Sequence, residues 1–392
     1  MEELIQFTTA EYLLLIILAT LFLIQICYNF ILYTQLHRAN KKRKKGTTKR
    51  LTTSLAPVSV IITTSDEPTY LQENLPKILE QDYPDYEVIV VNDAVNDKST
   101  DILKRMEEKY PHLYHTFVPE SARYMSRKKL AQTIGIKASN NEWLLFTEIN
   151  CVPNSTQWIR KMAEHFTDTT EVVLGYSGYN KGQGWQDRKI QFDNLLHAMR
   201  YLGMAHIGFP FMGIGRNLAY RKSLFFNTNY FASFMHLKRG EDNLFINRIA
   251  RRKNTTIEAS YEGSVTIQPY RHIRDWKEEK LNYLVTSSFY KGIHQQILGF
   301  DTLTRFSFLL IAMFGLVAAS ITQQWLIVGI IAFLVFTRHT LQMILFNKTA
   351  KDFQEKPIYL LFPLLNLINP FTHIRLKLLK TVRKKADFMR KL

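Results

Sequence analysis

Residues 141–153 read NEWLLFTEINCVP, and the placement of this stretch decides the fold. The apolar run Trp143, Leu144, Leu145 and Phe146 is short enough for a buried strand. It breaks into the polar cluster Thr147, Glu148, Ile149 and Asn150 ahead of Pro153, which forbids continuation. Glu148 and Asn150 therefore stand two apart at a strand end. In an open α/β sheet ligands bind outside the carboxyl ends of the strands, where oxygen side chains can meet a hard divalent cation and its phosphates. An acidic residue in that place also serves as an ordinary loop start or cap, so the neighbouring segments decide between the two readings.

Upstream, a β-branched strand is expected over 57–64, a helix over 70–81 opened by Ser65-Asp66-Glu67-Pro68, and a second buried strand over 86–91 ending at Asn92 and Asp93. A helix over 99–110, a strand over 113–119 and a helix over 128–138 follow. Strand alternating with helix predicts a parallel sheet joined by right-handed crossovers. Its polar strand ends, 64–67, 92–97 and 147–150, would all fall on one rim. Downstream lie a helix over 158–166, a strand over 171–176, a glycine-rich connection over 175–185 and a helix over 188–204. Gly213 and Gly215 form a Gly-x-Gly that lacks the third glycine and the strand-to-helix setting of a dinucleotide-binding turn. Glu241 and Asp242 open the next helix, where the macrodipole favours carboxylates whatever their function. A final strand is expected over 264–269 and a charged, aromatic helix over 273–290.

Apolar runs over 12–33, 306–321 and 325–346 are too apolar and too long for ordinary globular helices. The net charge of +17 taken alone points to a nucleic-acid partner, but residues 38–50 carry net +8 and residues 375–392 net +7. Basic blocks beside apolar spans obey the positive-inside rule and meet anionic lipid, so a membrane and not nucleic acid is the expected partner. Acidic residues before the first span and basic ones after it predict an uncleaved anchor with its N-terminus outside and the body in the cytoplasm. Residues 358–371 are apolar but only fourteen long, which suits an interfacial or re-entrant segment better than a crossing. The division is an anchor over 1–37, a basic linker over 38–56, an α/β body over 57–300, a transmembrane hairpin over 301–347, and an interfacial segment with basic tail over 348–392. Arg338 and His339 in the last span are expected to snorkel. Trp276, Tyr283 and Tyr290 are expected to form an aromatic belt at the bilayer surface. Two cysteines, Cys27 and Cys151, are too few for a disulfide framework or a zinc site.

PVSVIITTSDEP, EVIVVNDAVNDKSTD, SRKKLAQTIGIKAS, NEWLLFTEINC, GIGRNLAYRKS and GEDNLFIN, in that order, resemble a membrane-bound bacterial family 2 glycosyltransferase. The resemblance covers residues 57–293 and the flanking spans. It implies an α/β fold of the GT-A type, Rossmann-like, in the cytoplasm, with transmembrane helices at both ends in the bacterial inner membrane. It implies transfer with inversion from a nucleotide-diphosphate sugar to a lipid-linked or glycan acceptor, assisted by Mg²⁺ or Mn²⁺, in polysaccharide or lipopolysaccharide biosynthesis. Carried over by position, Thr64, Glu67, Asp93, Lys128, Lys129 and Glu148 match the donor side. Glu148 and Asn150 match the metal-binding pair, and Gly213, Gly215, Arg216 and Asn217 match the acceptor-side loop. Asp242 matches the general base, with Glu241 before it.

The chemistry asks for the same residue types. A sugar leaving from a diphosphate pushes negative charge onto the leaving group, which a divalent metal stabilises. The attacking hydroxyl loses a proton on the opposite face, so one carboxylate stands apart from the metal. A single base with no enzyme nucleophile gives inversion, as it does in inverting hydrolases. Two departures stand out. The family's Asp-x-Asp is here Glu148-x-Asn150, which replaces a charged ligand by a neutral carbonyl and weakens metal affinity. The family's Gln-x-x-Arg-Trp falls at residues 279–283, EKLNY, where all three side chains are lost. This argues for a non-processive enzyme, and keeps open a catalytically degenerate paralogue that binds a nucleotide sugar or acts as a scaffold.

Overall fold

A computed structural model describes residues 8–48, 51–65, 67–93, 97–119, 126–179, 182, 184–229, 231–270, 272–383 and 385–389. Asp66 and residues 94–96, within two of the expected polar strand ends, lie outside the described residues.

The chain opens with α1 (Thr9–Tyr28), a π-helical turn (Asn29–Tyr33) and α2 (Gln35–Lys44), which together form one apolar-to-basic rod. The region expected as a basic linker is therefore helical through Lys44. β1 (Val58–Thr64), α3 (Pro68–Leu79), β2 (Tyr86–Asn92), α4 (Asp97–Lys109), β3 (Leu113–Phe117), α5 (Arg127–Ala138) and β4 (Trp143–Glu148) follow the expected alternation. β1, β2 and β4 are apolar because parallel strands covered on both faces carry continuous hydrophobic runs; Val58, Val60, Ile62, Val88, Val90, Leu144 and Leu145 are fully buried.

β4 runs two residues past the expected end at Phe146, to Glu148, and Pro153 does not close the segment. β5 (Cys151–Pro153) pairs antiparallel with β10 (Val265–Ile267), which in turn pairs parallel with β7 (Ser177–Tyr179). Proline is tolerated there because β5 is an edge strand of this small sheet. The main sheet has the order β3-β2-β1-β4-β8-β6-β9, with β8 (Leu218–Arg221) antiparallel to both neighbours. The architecture is thus mixed and parallel-dominated, and β8 replaces the helix that a Gly-x-Gly dinucleotide turn would need. The remaining elements in chain order are α6 (Trp158–Ala163), β6 (Val172–Leu174), α7 (Trp185–His206), α8 (Lys222–Asn227), α9 (Asn243–Ile249), β9 (Thr255–Ile257), α10 (Ile273–Thr286), α11 (His294–Ile321), α12 (Trp325–Asp352) and α13 (Phe362–Val382).

Three helical segments, Thr9–Lys44, α11 and α12, are long and apolar enough to cross a membrane. They pack together through Leu18, Phe308, Ala312, Ile327 and Ile331. One face of the sheet packs on α3, α4 and α6. The core on the other face runs through α7 into Leu32, Tyr33 and Leu36 of the first rod and Phe346 of α12 without a break. Gly203 of α7 lies so close to this rod that a Cβ would meet the Leu32 carbonyl at 2.8 Å.

Of the apolar segment over 358–371, residues 362–371 form the first half of α13, which continues to Val382 and holds Pro370 inside it. Leu364, Leu367, Phe371, Ile374, Leu378 and Val382 stand exposed on it at helical spacing. The other face is docked on α10: Leu376 packs with Leu281, Arg383 pairs with Glu278, and the Lys380 ammonium donates to the Leu284 carbonyl. Two expectations about the membrane region fail. Arg338 does not snorkel, because it is fully buried over the Phe308 ring and donates to Gln25 at 3.4 Å. Trp276 is core, and Tyr283 turns into the cleft described next, because α10 lies against the sheet domain and not along a lipid surface.

Candidate active site

The carboxyl ends of β1, β2 and β4 open onto two adjoining cavities. The smaller, about 290 Å³, is lined by Thr63, Thr64, Asp93 and Ala131 together with Ser65, Glu67, Lys128, Glu148, Asn150 and Arg239. The larger, about 530 Å³, shares the last six and adds Arg216, Glu241, Asp242, Tyr270, Glu279 and Tyr283. The three polar strand ends do meet on one rim, because parallel strands of like direction bring their ends to the same edge.

Within the smaller cavity, Asp93 is fixed by Arg127, whose Nε reaches Oδ1 at 2.5 Å and whose Nη2 donates to the Asp93 carbonyl. The Thr64 hydroxyl donates to Glu67 at 3.4 Å. At the junction, Lys128 at the start of α5 donates to Glu148 Oε1 at 2.5 Å and approaches Glu241 at 3.6 Å. The Arg216 Nε donates to Glu148 Oε2 at 2.9 Å. The Arg216 fork also clasps Glu279, whose second oxygen accepts from the Tyr270 hydroxyl at 2.8 Å. Burial works against ionisation of Glu148, but Lys128 and Arg216 outweigh it and hold the carboxyl well below the usual range.

Across the larger cavity, Asp242 caps α9. Its Oδ1 accepts from the Asn243 backbone N–H at 2.6 Å and its Oδ2 from the Gly215 N–H at 3.0 Å, with the Tyr283 hydroxyl at 3.4 Å. Burial, and then the neighbouring Glu241 charge, push Asp242 above the ordinary carboxylate range. Glu241 is held below its usual value despite burial, because Lys128 and Arg239 face it.

Several residues assigned to the site by position lie elsewhere. Lys129 points away from the cleft, fully buried, donating to the carbonyls of Phe234 and Leu237. Asn217 is buried in a bridge: it accepts from the Trp158 indole at 3.1 Å and donates to the carbonyls of Tyr176 and Gly263. Gly213 faces Ile246, Leu174 and Leu218, where a Cβ would lie at 3.0–3.2 Å, so it serves packing. Gly215 acts on the cavity through its N–H. Conversely, Arg239, Tyr270, Glu279 and Tyr283 line the cleft. Sequence reasoning named neither Arg239 nor Tyr270, placed Tyr283 in an aromatic belt and read Glu279 only as the altered start of the Gln-x-x-Arg-Trp motif; the spacing of Glu279 and Tyr283, four apart on one helical face, is a signal that joins the two.

For a divalent ion, the chain offers the Asn150 carbonyl oxygen and a Glu148 carboxylate whose two oxygens are already ion-paired. Among the described residues no group of three or more His, Cys, Asp or Glu could hold a metal. This donor set fits a hard cation that takes one or two protein oxygens and completes its shell with phosphate and water, as Mg²⁺ commonly does.

A mixed sheet with this strand order, with a cleft over the strand ends lined by acidic side chains, has the GT-A architecture. Residues 59–239 match the model of Glycosyl transferase family 2, and the chain carries a domain of that family. The match ends just short of Glu241 and Asp242. Among solved structures, the chain resembles mannosyltransferase PcManGT from Pyrobaculum calidifontis, determined in complex with GDP-Man and Mn²⁺: 17% identity, TM-score 0.53, 86% of this chain and 99% of that one. It also resembles S. aureus TarS 1–349 at 18% identity and TM-score 0.42, over 81% of this chain and 92% of that one. No curated protein sequence matches the chain.

Proposed function

We propose that the protein is an inverting glycosyltransferase that moves a sugar from a nucleoside-diphosphate donor to the hydroxyl of a lipid-linked or cell-envelope acceptor. The observation that carries this is the placement of Asp242. It lines the larger cavity with its oxygens on two backbone N–H groups and no cation among the described residues bonded to them, whereas Glu148 in the same cavity is paired with Lys128 and Arg216. The nucleoside occupies the smaller cavity beside Asp93 and Glu67, and the diphosphate the junction. The acceptor hydroxyl enters beside Asp242, which takes its proton while the acceptor oxygen bonds to the anomeric carbon. The bond from that carbon to the diphosphate oxygen breaks, and its electron pair leaves with the nucleoside diphosphate. The raised affinity of Asp242 for a proton suits it to this task. Asn150, with Glu148 beside it, would hold a divalent ion such as Mg²⁺ or Mn²⁺, which would neutralise charge on the leaving diphosphate.

The three apolar helices and the exposed stripe on α13 support a site at a membrane surface, and the basic residues after the first span support a cytoplasmic, inner-membrane placement. The lost motif over 279–283 supports transfer of one or few sugars. Incubation with a panel of nucleotide sugars is expected to show transfer or donor hydrolysis, reduced about 10²–10⁴-fold in Asp242→Asn. Unchanged turnover in that variant would refute the assignment of the base. The ion-paired Glu148 also favours a second reading, a paralogue that binds a nucleotide sugar as a scaffold without turnover. Nucleotide-dependent thermal stabilisation with no turnover from any donor would select it.

A further inference from the structure

We propose that Lys128 and Arg239 hold the donor diphosphate directly, so that nucleoside diphosphate binding persists without a divalent cation. The inference rests on the glycosyltransferase reading above and concerns the group that meets the diphosphate.

Both side chains line both cavities, which places them where a nucleotide bridging the two must put its phosphates. Of the three cations on the wall, Arg216 is committed, with its fork on Glu279 and its Nε on Glu148. Arg239 is not. Its side chain is 46% exposed, and its ion pair among the described residues is a 3.5 Å approach to Glu241. Glu241 is faced by Lys128 as well as by Arg239, so the two cations are shared between that carboxylate and an arriving phosphate, and a planar guanidinium matches phosphate oxygens two at a time. Lys128 can also turn, because Glu148 keeps its bond to Arg216 when the ammonium leaves. Asn150, in contrast, brings no charge to the junction. The charge that meets an incoming diphosphate is thus carried by two flexible cations already in the cleft. Where the family has its carboxylate pair, Glu148 is ion-paired on both oxygens and Asn150 is neutral.

The test uses the full chain in nanodiscs. UDP, GDP, ADP and CDP are titrated calorimetrically into wild type, Arg239→Met and Arg239→Lys, once with MnCl₂ and once with EDTA. The best-binding diphosphate is expected to keep its wild-type affinity in EDTA to within about threefold. Arg239→Met should lose about tenfold or more in EDTA with its melting temperature unchanged, and Arg239→Lys should recover part of the loss. Wild-type binding that vanishes in EDTA but is present with Mn²⁺ overturns the proposal and leaves the glycosyltransferase reading standing. Undiminished binding by Arg239→Met in EDTA overturns it equally. If none of the four binds in either buffer, the glycosyltransferase reading falls with it.

Discussion

Two neighbouring carboxylates, Glu241 and Asp242, are driven apart in proton affinity by what faces them. Glu241 looks toward Lys128 and Arg239, whereas Asp242 looks into a half-enclosed space with only neutral donors on its oxygens. A base raised in this way works in its deprotonated form, so activity should fall as pH drops through a value above the ordinary aspartate range of about 3.9. Glu241→Gln removes the negative neighbour that disfavours ionisation of Asp242. The acid limb of kcat/KM should then move to lower pH, and a limb that stays in place would mean that burial alone sets it. At this scale the sequence was an uneven guide. Glu148, Asn150, Asp93 and Glu67 follow strands and could be placed by the rule that strand ends collect ligands. Lys129 and Asn217 carry the same polar chemistry next to true cleft residues, and only the direction of the side chain separates them. Arg239 had no local signal, because its place depends on how the turn before Gly240 folds back over α5.

Elements built from long apolar runs were legible, and those decided by tertiary contact were not. β1, β2 and β4 announce themselves because burial on both faces demands unbroken hydrophobicity. β8 is four residues long after a glycine-rich stretch, and only two residues separate the three-residue β5 from β4, so neither has a period to read. α10 was misplaced at the bilayer since its aromatic spacing is shared by a lipid-facing belt and a cleft wall. α2 was taken as linker because of its basic residues, one of which, Arg43, is in fact inserted against the sheet domain. Its guanidinium pairs with Glu164 at 2.7 Å and with Glu258 at 2.9 Å. Glu258 is fully buried, and despite that burial His165 and Arg43 keep it ionised below its usual range. Arg43→Ala leaves Glu258 with a weaker set of partners and should cost about 3 kcal/mol. The check is the melting temperature in detergent, which should fall clearly below that of the exposed control Arg252→Ala.

Across the whole molecule, the sheet domain and the membrane helices share one core. Tyr33 joins Asp301, Arg200 and Arg305 in a buried network where the first rod, α7 and α11 meet. Close approach of α7 to the rod is what permits this, and Gly203→Ala tests it. A methyl group 2.8 Å from the Leu32 carbonyl forces the two helices apart, at about 1–3 kcal/mol. The expected result is a lower melting temperature, together with loss of transfer to a membrane-borne acceptor exceeding loss of donor hydrolysis. Equal losses in both assays would show that the junction sets stability alone. The unbroken packing at Asn29–Tyr33 has a further consequence. On the proposed membrane-surface reading, an enzyme tethered by a loose stalk would sample many heights, whereas a body welded to its stem would work at a single standoff from the lipid. The catalytic pocket would then act as a depth gauge, serving acceptors whose reactive hydroxyl rides at that one level and passing over those anchored too shallow or too deep.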